Sequence, residues 1–475
     1  MTNASTLPHY HFFPATGLFG DPIPFYWQGE YHLFFQYSPG GLDFNRMHWG
    51  HICSTDLLHW ERLPDALAPE AGGVDACGCW TGSVLAHDGV FHIFYTGCAA
   101  PDGGHQTICH AVSRDLLHWQ KDAANPLLAA QAPFAGALRS AWRDPCVYPA
   151  AGGFGMALTA EAPGAPGCWS GLIASAVSAD LSHWHGLETL YAPGDAQKME
   201  CPDYFELDGQ RVLLYSDFGV QVRRWIAPHG WAPASPAQMD GFRFYAGKTL
   251  LDDAGRRICF GFLSSRRAAD DASPWSWGGV LGLPRRLNMD AAGRLFSAPV
   301  DEVRQLRTQR LPLELRPWLG QWSLDGETLR GCPEALPGAA AVLLGRLPAQ
   351  AELCLTLDLS PATPVSVLLA CSPDGERGYR VEIDPGLRRL ALLRLTPQTL
   401  GEALLLEAID LPPDLPAVME VRIFVDGSAL EVFLSGRVSL STRIYPPHGG
   451  ADWWGVYTAR GALCAPRVQV WQLSL

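Results

Sequence analysis

"STDLLHW" at residues 54–60 returns as "SRDLLHW" at 113–119 and, slightly altered, as "SADLSHW" at 178–184. Copies about sixty residues apart mark a repeated supersecondary unit, and a unit of that length built from short strands points to a propeller blade. Inside the peptide, Ser and Asp can take up backbone donors in a turn, while Leu and Trp fill space between neighbouring sheets. Asp56, Asp115, Asp180 and their Trp partners are therefore read as structural. A second signature accompanies the first: a Gly turn and then a short aromatic or β-branched run. It occurs in "QGEYHLFFQY" from 28, "HDGVFHIFYTG" from 87, "AGGFGMALTA" from 151, "LDGQRVLLYSD" from 207 and "DAGRRICFGFL" from 253. Each is expected to be an inner strand entered from a hairpin. Five such runs predict a five-bladed β-propeller over residues 1–310.

The texture then changes. "PVDEVRQLRTQRL" (299–311) reads as a short polar helix or linker, followed by alternating strand text such as "AELCLTLDL", "YRVEID" and "VRIFVDGSALEVFL". Asp426-Gly427, between two alternating runs, is a hairpin signal. With many short strands and no second period, residues 311–475 are expected to form a β-sandwich, which makes the whole chain all-β.

Composition narrows the function classes. Apolar residues make up 48% of the 475 and charged residues 17%, which fits a well-filled globule rather than a disordered chain. Thirty-five Lys and Arg against 48 Asp and Glu leave a net charge of −13, which opposes binding to nucleic acid or to an anionic membrane. The N-terminus has no signal-peptide pattern, and no apolar run is long enough to span a bilayer. The 13 cysteines are scattered and odd in number, so they read as small buried residues in a reducing cytoplasm.

Counting back from the turn glycines locates the chemistry. Asp21 stands eight residues before Gly29, Thr81 before Gly89, Asp144 before Gly152, and Cys201, next to Glu200, before Gly209. Equivalent positions in successive blades lie at equivalent radii, so acids from three blades should converge at strand ends around the axis. Each is followed within two residues by proline (Pro22, Pro145, Pro202), which ends strand pairing there. Converging carboxylates suit glycosidic bond cleavage: one protonates the departing oxygen and another attacks the anomeric carbon or activates water. Crowding should raise one of their pKa values.

At these residues the chain resembles the family 32 glycoside hydrolases, the invertase and fructanase group of β-fructofuranosidases. "MHWGHICSTDLLHWERLPDAL" is similar to that family's Trp-Gly-His segment, "WTGSVL" to its aromatic-Ser-Gly-Ser motif, "WRDP" to Arg-Asp-Pro and "MECPD" to Glu-Cys-Pro. "GVLGLPRRL" resembles the close of its propeller, and "IFVDGSALEVFLSGRVSLSTRIYP" its C-terminal sandwich. The resemblance implies Asp21 as nucleophile, Glu200 as acid and base, and Asp144, beside Arg143, as transition-state stabiliser. Gln36, Trp80, Thr81, Cys201 and Trp277 match sugar-site positions; Trp49 fits either the site or the core, and Asp203 a supporting place behind it. The first motif departs from the family's usual Trp-Met-Asn-Asp-Pro-Asn-Gly: here it reads Leu18-Phe19-Gly20-Asp21-Pro22-Ile23-Pro24. Gly20 lacks a side-chain amide for the sugar, and Arg243 stands where an acid is common, adding positive charge near the site.

The expected activity is retaining, exo-acting hydrolysis of terminal β-D-fructofuranosyl units of sucrose or fructo-oligosaccharides, with no cofactor and no metal. The partner is a small sugar substrate; a homo-oligomer is left open. Rival readings are an inverting enzyme or arabinofuranosidase on the same propeller, a fructosyltransferase, and a catalytically silent sugar-binding propeller. His48 and His51 in "HWGH" lack further ligands at metal-binding spacing and are read as strand packing, and "CGC" at 77–79 lacks redox spacing. The C-terminal unit is expected to brace the propeller.

Overall fold

The computed structural model describes residues 7–475 apart from 16, 42–45, 130–140, 164–168, 195–197, 265–276, 336, 361–362, 376, 397–398 and 446–451. Each repeated heptapeptide turns the chain at the end of a blade's third strand. Ser54 Oγ accepts from the amides of Asp56 (3.1 Å) and Leu57 (2.9 Å), while Asp56 Oδ1 accepts from those of Leu58 (2.9 Å) and His59 (2.8 Å). The same cage forms around Asp115 and Asp180. It holds Leu57, Leu116 and Leu181 at φ of 67°, 64° and 67°, a left-handed conformation that leucine rarely adopts unaided. The turn then delivers its Trp to the neighbouring blade: Trp119 meets Phe34 edge-on at 5.9 Å and Trp184 meets Phe94 at 5.7 Å. Trp60 meets Phe260 of the last blade at 6.1 Å, so the same device helps close the ring. The repeat is an inter-blade staple.

The five blades begin with strands Gly17–Trp27, Gly78–His87, Trp142–Ala150, Glu200–Leu207 and Phe244–Leu251, which neighbour one another around the axis. Trp277–Gly278 adds a short parallel pairing to Gly17–Leu18 on the inner edge of blade 1. One expectation needs correction. The five Gly-led runs form the second strands (Glu30–Ser38, Val90–Cys98, Gly153–Pro163, Gln210–Ser216, Arg257–Leu263), and the innermost strands precede the turn. The second strands are sandwiched between two others, which explains their aromatic and β-branched text.

A 3-10 turn, Asp301–Leu306, leads out of the propeller. Beyond it the strands fall into two antiparallel sheets. One contains Gln350–Asp358, Val418–Asp426 and Leu463–Leu473, the other Val365–Cys371, Gly378–Asp384 and Trp453–Thr458. They share one core, in which Leu353, Leu355, Val421 and Val470 of the first sheet lie with Val367, Val381 and Trp454 of the second. The hairpin expected at Asp426-Gly427 forms, with Asp426 opposite Ala429 and Gly427 at φ 57°.

The seam between this unit and the propeller is charged and sealed. Asp426 accepts from the backbone amides of His9, Tyr10 and His11 at 2.7–2.9 Å. The His11 ring bridges Asp426 (3.0 Å) and Glu431 (2.9 Å), and Arg285 bridges Asp240 (2.5 Å) and Glu431 (2.7 Å). All five side chains are inaccessible to solvent. Ser439 and Ser441 add hydroxyls to the Arg285 guanidinium, which lies 3.7 Å from the Phe244 ring centroid.

Candidate active site

The shared offset of eight residues has a backbone cause. Every innermost strand carries an irregularity at that place: its pairing with the second strand slips between Phe19 and Pro22, Trp80 and Gly82, opposite Ala157 and Thr159, between Glu200 and Asp203, and between Tyr245 and Lys248. A bulge leaves a residue out of the ladder and re-aims its side chain. Asp144, Cys201 and Ala246 take φ of 60°, 52° and 52° at these bulges. Hydroxyls from the preceding blade catch two of the freed amides: Asp144 N donates to Thr96 Oγ1 at 2.8 Å, and Ala246 N to Ser216 Oγ at 2.9 Å.

The bulges open onto a cavity of about 340 Å³ lined by Asp21, Gln36, Trp80, Thr81, Arg143, Asp144, Lys198, Glu200, Cys201, Tyr245 and Phe262. A larger axial cavity, about 760 Å³, is lined by residues further along the same strands, such as Tyr148, Tyr204 and Thr249, and by none of the three converging acids. Volume alone would choose the wrong one; the carboxylates decide.

Three acids from three blades therefore meet, each in a different hydrogen-bond setting. Asp21 Oδ2 accepts from Thr81 Oγ1 at 2.5 Å and from the Cys201 thiol at 3.2 Å, and no described residue bonds Oδ1. Asp144 Oδ2 accepts from Cys201 N at 2.9 Å and Thr159 Oγ1 at 3.4 Å, and again no described residue bonds Oδ1. Both oxygens of Glu200 are engaged: Oε1 by Arg143 Nη2 at 2.9 Å and Oε2 by the Tyr245 hydroxyl at 2.5 Å.

Electrostatics separates them further. Desolvation, reinforced by Asp144 and Glu200, lifts Asp21 to about 6 despite the opposing bonds from Thr81 and Cys201. Burial also raises Asp144, against the pull of Arg143. The rise expected for an acid thus falls instead on Asp21, the residue expected as nucleophile, and burial contributes more to it than the neighbouring carboxylates do. Burial and the nearby Asp21 and Asp144 push the Cys201 thiol well up, and burial with Glu200 pushes up the Tyr245 phenol, so both remain donors.

Most of the residues singled out from the sequence come together here; among the described side chains, Trp49 and Arg243 do not. Trp49 is fully buried among Phe34, Tyr95 and Cys109, and its indole donates to Trp80 O at 3.0 Å. It belongs to the core and supports the wall through Trp80, because its strand is the third of blade 1, away from the axis. Trp277 has a described backbone position beside Gly17, while its side chain lies outside the described residues. Arg243 turns toward the C-terminal unit, its amide donating to Glu407 at 3.3 Å and its Nε 3.9 Å from that carboxylate. Of the divergent first motif, Ile23 is buried between blades and Pro24 lines the other cavity.

Asp203 does take a supporting place: its Oδ2 accepts from Thr249 N (2.9 Å) and Oγ1 (2.7 Å), tying blade 4 to blade 5. His51 packs as expected, stacked 4.0 Å from Phe34 and bonded to His32, and desolvation drives it down to about 3. Sequence reasoning missed Tyr245, Lys198 and Phe262. It also missed Lys248, buried behind the bulges with Nζ donating to Pro202 O at 2.9 Å. The offset count, carried into blade 5, reaches Gly247 eight residues before Gly255 and would have flagged Tyr245 two residues earlier.

Comparison with known proteins agrees with this geometry. The model of the glycosyl hydrolases family 32 N-terminal domain matches residues 11–299, and that of the family 32 C terminal matches 340–472. A sucrose-6-phosphate hydrolase and a raffinose invertase, both from Escherichia coli, are each 29% identical, covering 98% of this chain and 95% of theirs. Fructan 1-exohydrolase IIa from Cichorium intybus shares the fold at TM-score 0.78 and 20% identity, covering 100% of this chain and 98% of that one. Sucrose-6-phosphate hydrolase from Lactobacillus gasseri does so at TM-score 0.75 and 22%, covering 99% and 94%. A propeller whose strand bulges gather three carboxylates, joined to a two-sheet unit that matches the family's C-terminal model, belongs to glycosyl hydrolase family 32.

Proposed function

We propose that the protein is a retaining β-fructofuranosidase that removes terminal β-D-fructofuranosyl units from sucrose-like substrates. One observation carries this reading: Asp21 and Glu200, from separate blades, line one small cavity together with Asp144. Asp21 Oδ1, which no described residue bonds, attacks the anomeric carbon while Glu200 protonates the leaving oxygen. Glu200 then takes a proton from the water that releases the fructosyl group. Asp144 Oδ1 accepts from furanose hydroxyls, and Arg143 neutralises charge between Asp144 and Glu200. Thr81 and the Cys201 thiol hold the nucleophile by its other oxygen.

Residues 1–310 form the catalytic unit in this proposal, and residues 311–475 a β-sandwich brace. The same reading places the enzyme in the cytoplasm, supported by the free thiols of the described cysteines. The printed names of the relatives include both sucrose 6-phosphate and raffinose as substrates. The test is therefore a screen of sucrose, sucrose 6-phosphate, raffinose, 1-kestose, inulin, levan and nitrophenyl arabinofuranoside, with Glu200→Ala as control. Release of β-fructose as the first anomer, seen by NMR, supports the proposal. Initial release of the inverted anomer, or turnover of arabinofuranosides alone, overturns it.

A further inference from the structure

Beside the carboxylate cavity lies a second hollow of about 430 Å³, lined by Lys198, Glu200, Asp217, Phe218, Phe242 and Tyr245. Lys198, Glu200 and Tyr245 belong to both, so the two are continuous on the Glu200 side. Its outer wall presents two phenylalanine rings to solvent: Phe218 is 75% exposed and Phe242 41%. Large apolar side chains left open in a cleft mark a binding surface.

Both rings are built into place. Phe218 sits at φ 48°, a conformation unfavourable for a bulky residue, and the loop is pinned through its carbonyls. Gln238 Nε2 donates to Phe218 O at 3.1 Å and Asp240 O at 2.7 Å, Gln221 Nε2 donates to Asp217 O at 3.1 Å, and Asp217 N donates to Gly219 O at 2.9 Å. Phe242 is backed by the Arg243 guanidinium, 4.8 Å from its ring centroid, and Arg243 is anchored on Glu407 of the C-terminal unit.

We infer that Phe218 and Phe242 form the platform on which the sugar ring of the leaving group rests, and so set which leaving groups the enzyme accepts. This builds on the proposed fructofuranosidase reading. The proton donor must face the departing oxygen, so whatever that oxygen carries extends from Glu200 into this hollow. The C–H face of a sugar ring suits an aromatic surface. Arg243 thus acts on leaving-group choice from behind Phe242.

The test compares sucrose with β-D-fructofuranosyl fluoride, whose leaving group is a single atom that reaches no platform. The readout is the ratio of kcat/KM for sucrose to kcat/KM for the fluoride, which cancels any loss of folded enzyme. In the double variant F218A/F242A the ratio falls about tenfold, in the range of aromatic contacts. Phe218→Tyr keeps it within about twofold of the parent value, since the ring is retained. A parent enzyme active on both substrates, with a ratio unmoved by F218A/F242A, overturns this inference alone. A parent inert toward both overturns the fructofuranosyl reading and the platform with it.

Discussion

Two groups of three carboxylates lie in this molecule, and they are treated in opposite ways. At the seam, Asp240, Asp426 and Glu431 are sealed from solvent with His11 and Arg285 between them. In the smaller cavity, Asp21, Asp144 and Glu200 have Arg143 as the one guanidinium in contact among the described residues, and two of the carboxylate oxygens take no bond from a described residue. The pKa directions follow. Arg285 and His11 hold Glu431 at about 2 and His11 with backbone amides keeps Asp426 low, whereas Asp21 rises to about 6. Matched charge builds a joint between units; mismatched charge stores reactivity in a cavity.

The largest test of this contrast is Asp21→Asn. Turnover should fall by roughly 10⁴-fold or more, because the amide keeps the shape and loses the nucleophile. Stability should move the other way. The folded-state pKa is raised, so above about 6 the fold carries a charge it disfavours, and the Asn variant gains about 3 kcal/mol at neutral pH. The gain fades as pH falls from about 6 and is gone below the unfolded value of 3.8. Urea unfolding at several pH values measures it.

Breaking the seam should show the reverse pattern. Glu431→Gln strips His11 and Arg285 of their shared partner and should cost about 3–5 kcal/mol, with turnover per folded molecule largely kept. Denaturant midpoints beside active-site titration separate the two effects. Equal loss of turnover would mean that the seam positions the cavity.

Acidity distinguishes the regions within one unaltered protein. His11 is raised to about 9 by its two carboxylates, so its contribution of about 3 kcal/mol is full below 6.5 and lost as pH rises through about 9. Asp21 must be ionised to attack, so turnover should fall as pH drops through about 6. Near pH 5 the enzyme should be folded and slow, and near pH 10 less stable; circular dichroism and kcat/KM profiles across that span check both limbs. The smallest effect belongs to the staples: Ser113→Ala removes the acceptor of two amides in one turn and should cost about 1 kcal/mol without changing turnover.

The cavity was largely legible in the sequence, and the seam was not. Asp21, Asp144 and Glu200 could be found because a bulge recurs at the same distance from each hairpin, so a count along the chain becomes a radius in space. The heptapeptide was legible for a similar reason, since its hydrogen bonds all close within five residues. The seam draws His11, Asp240, Arg285, Asp426 and Glu431 from distant stretches, and no local pattern distinguishes them from surface charges. Asp426 shows this well: its hairpin was readable, while its grip on the amides of residues 9–11 was not. Trp49 stayed open in the sequence, since an aromatic beside a site motif fits wall and core equally until the strand's distance from the axis is known.

The central claim is that Asp21 and Glu200 act as a nucleophile and acid pair. It is tested most directly by incubating the Glu200→Gln variant with β-D-fructofuranosyl fluoride, which departs without a proton, and mapping the digested protein by mass spectrometry. A fructosyl ester should accumulate on the peptide carrying Asp21, because the base that releases it is gone. Turnover of the fluoride with no adduct, or an adduct on a different residue, would contradict the account.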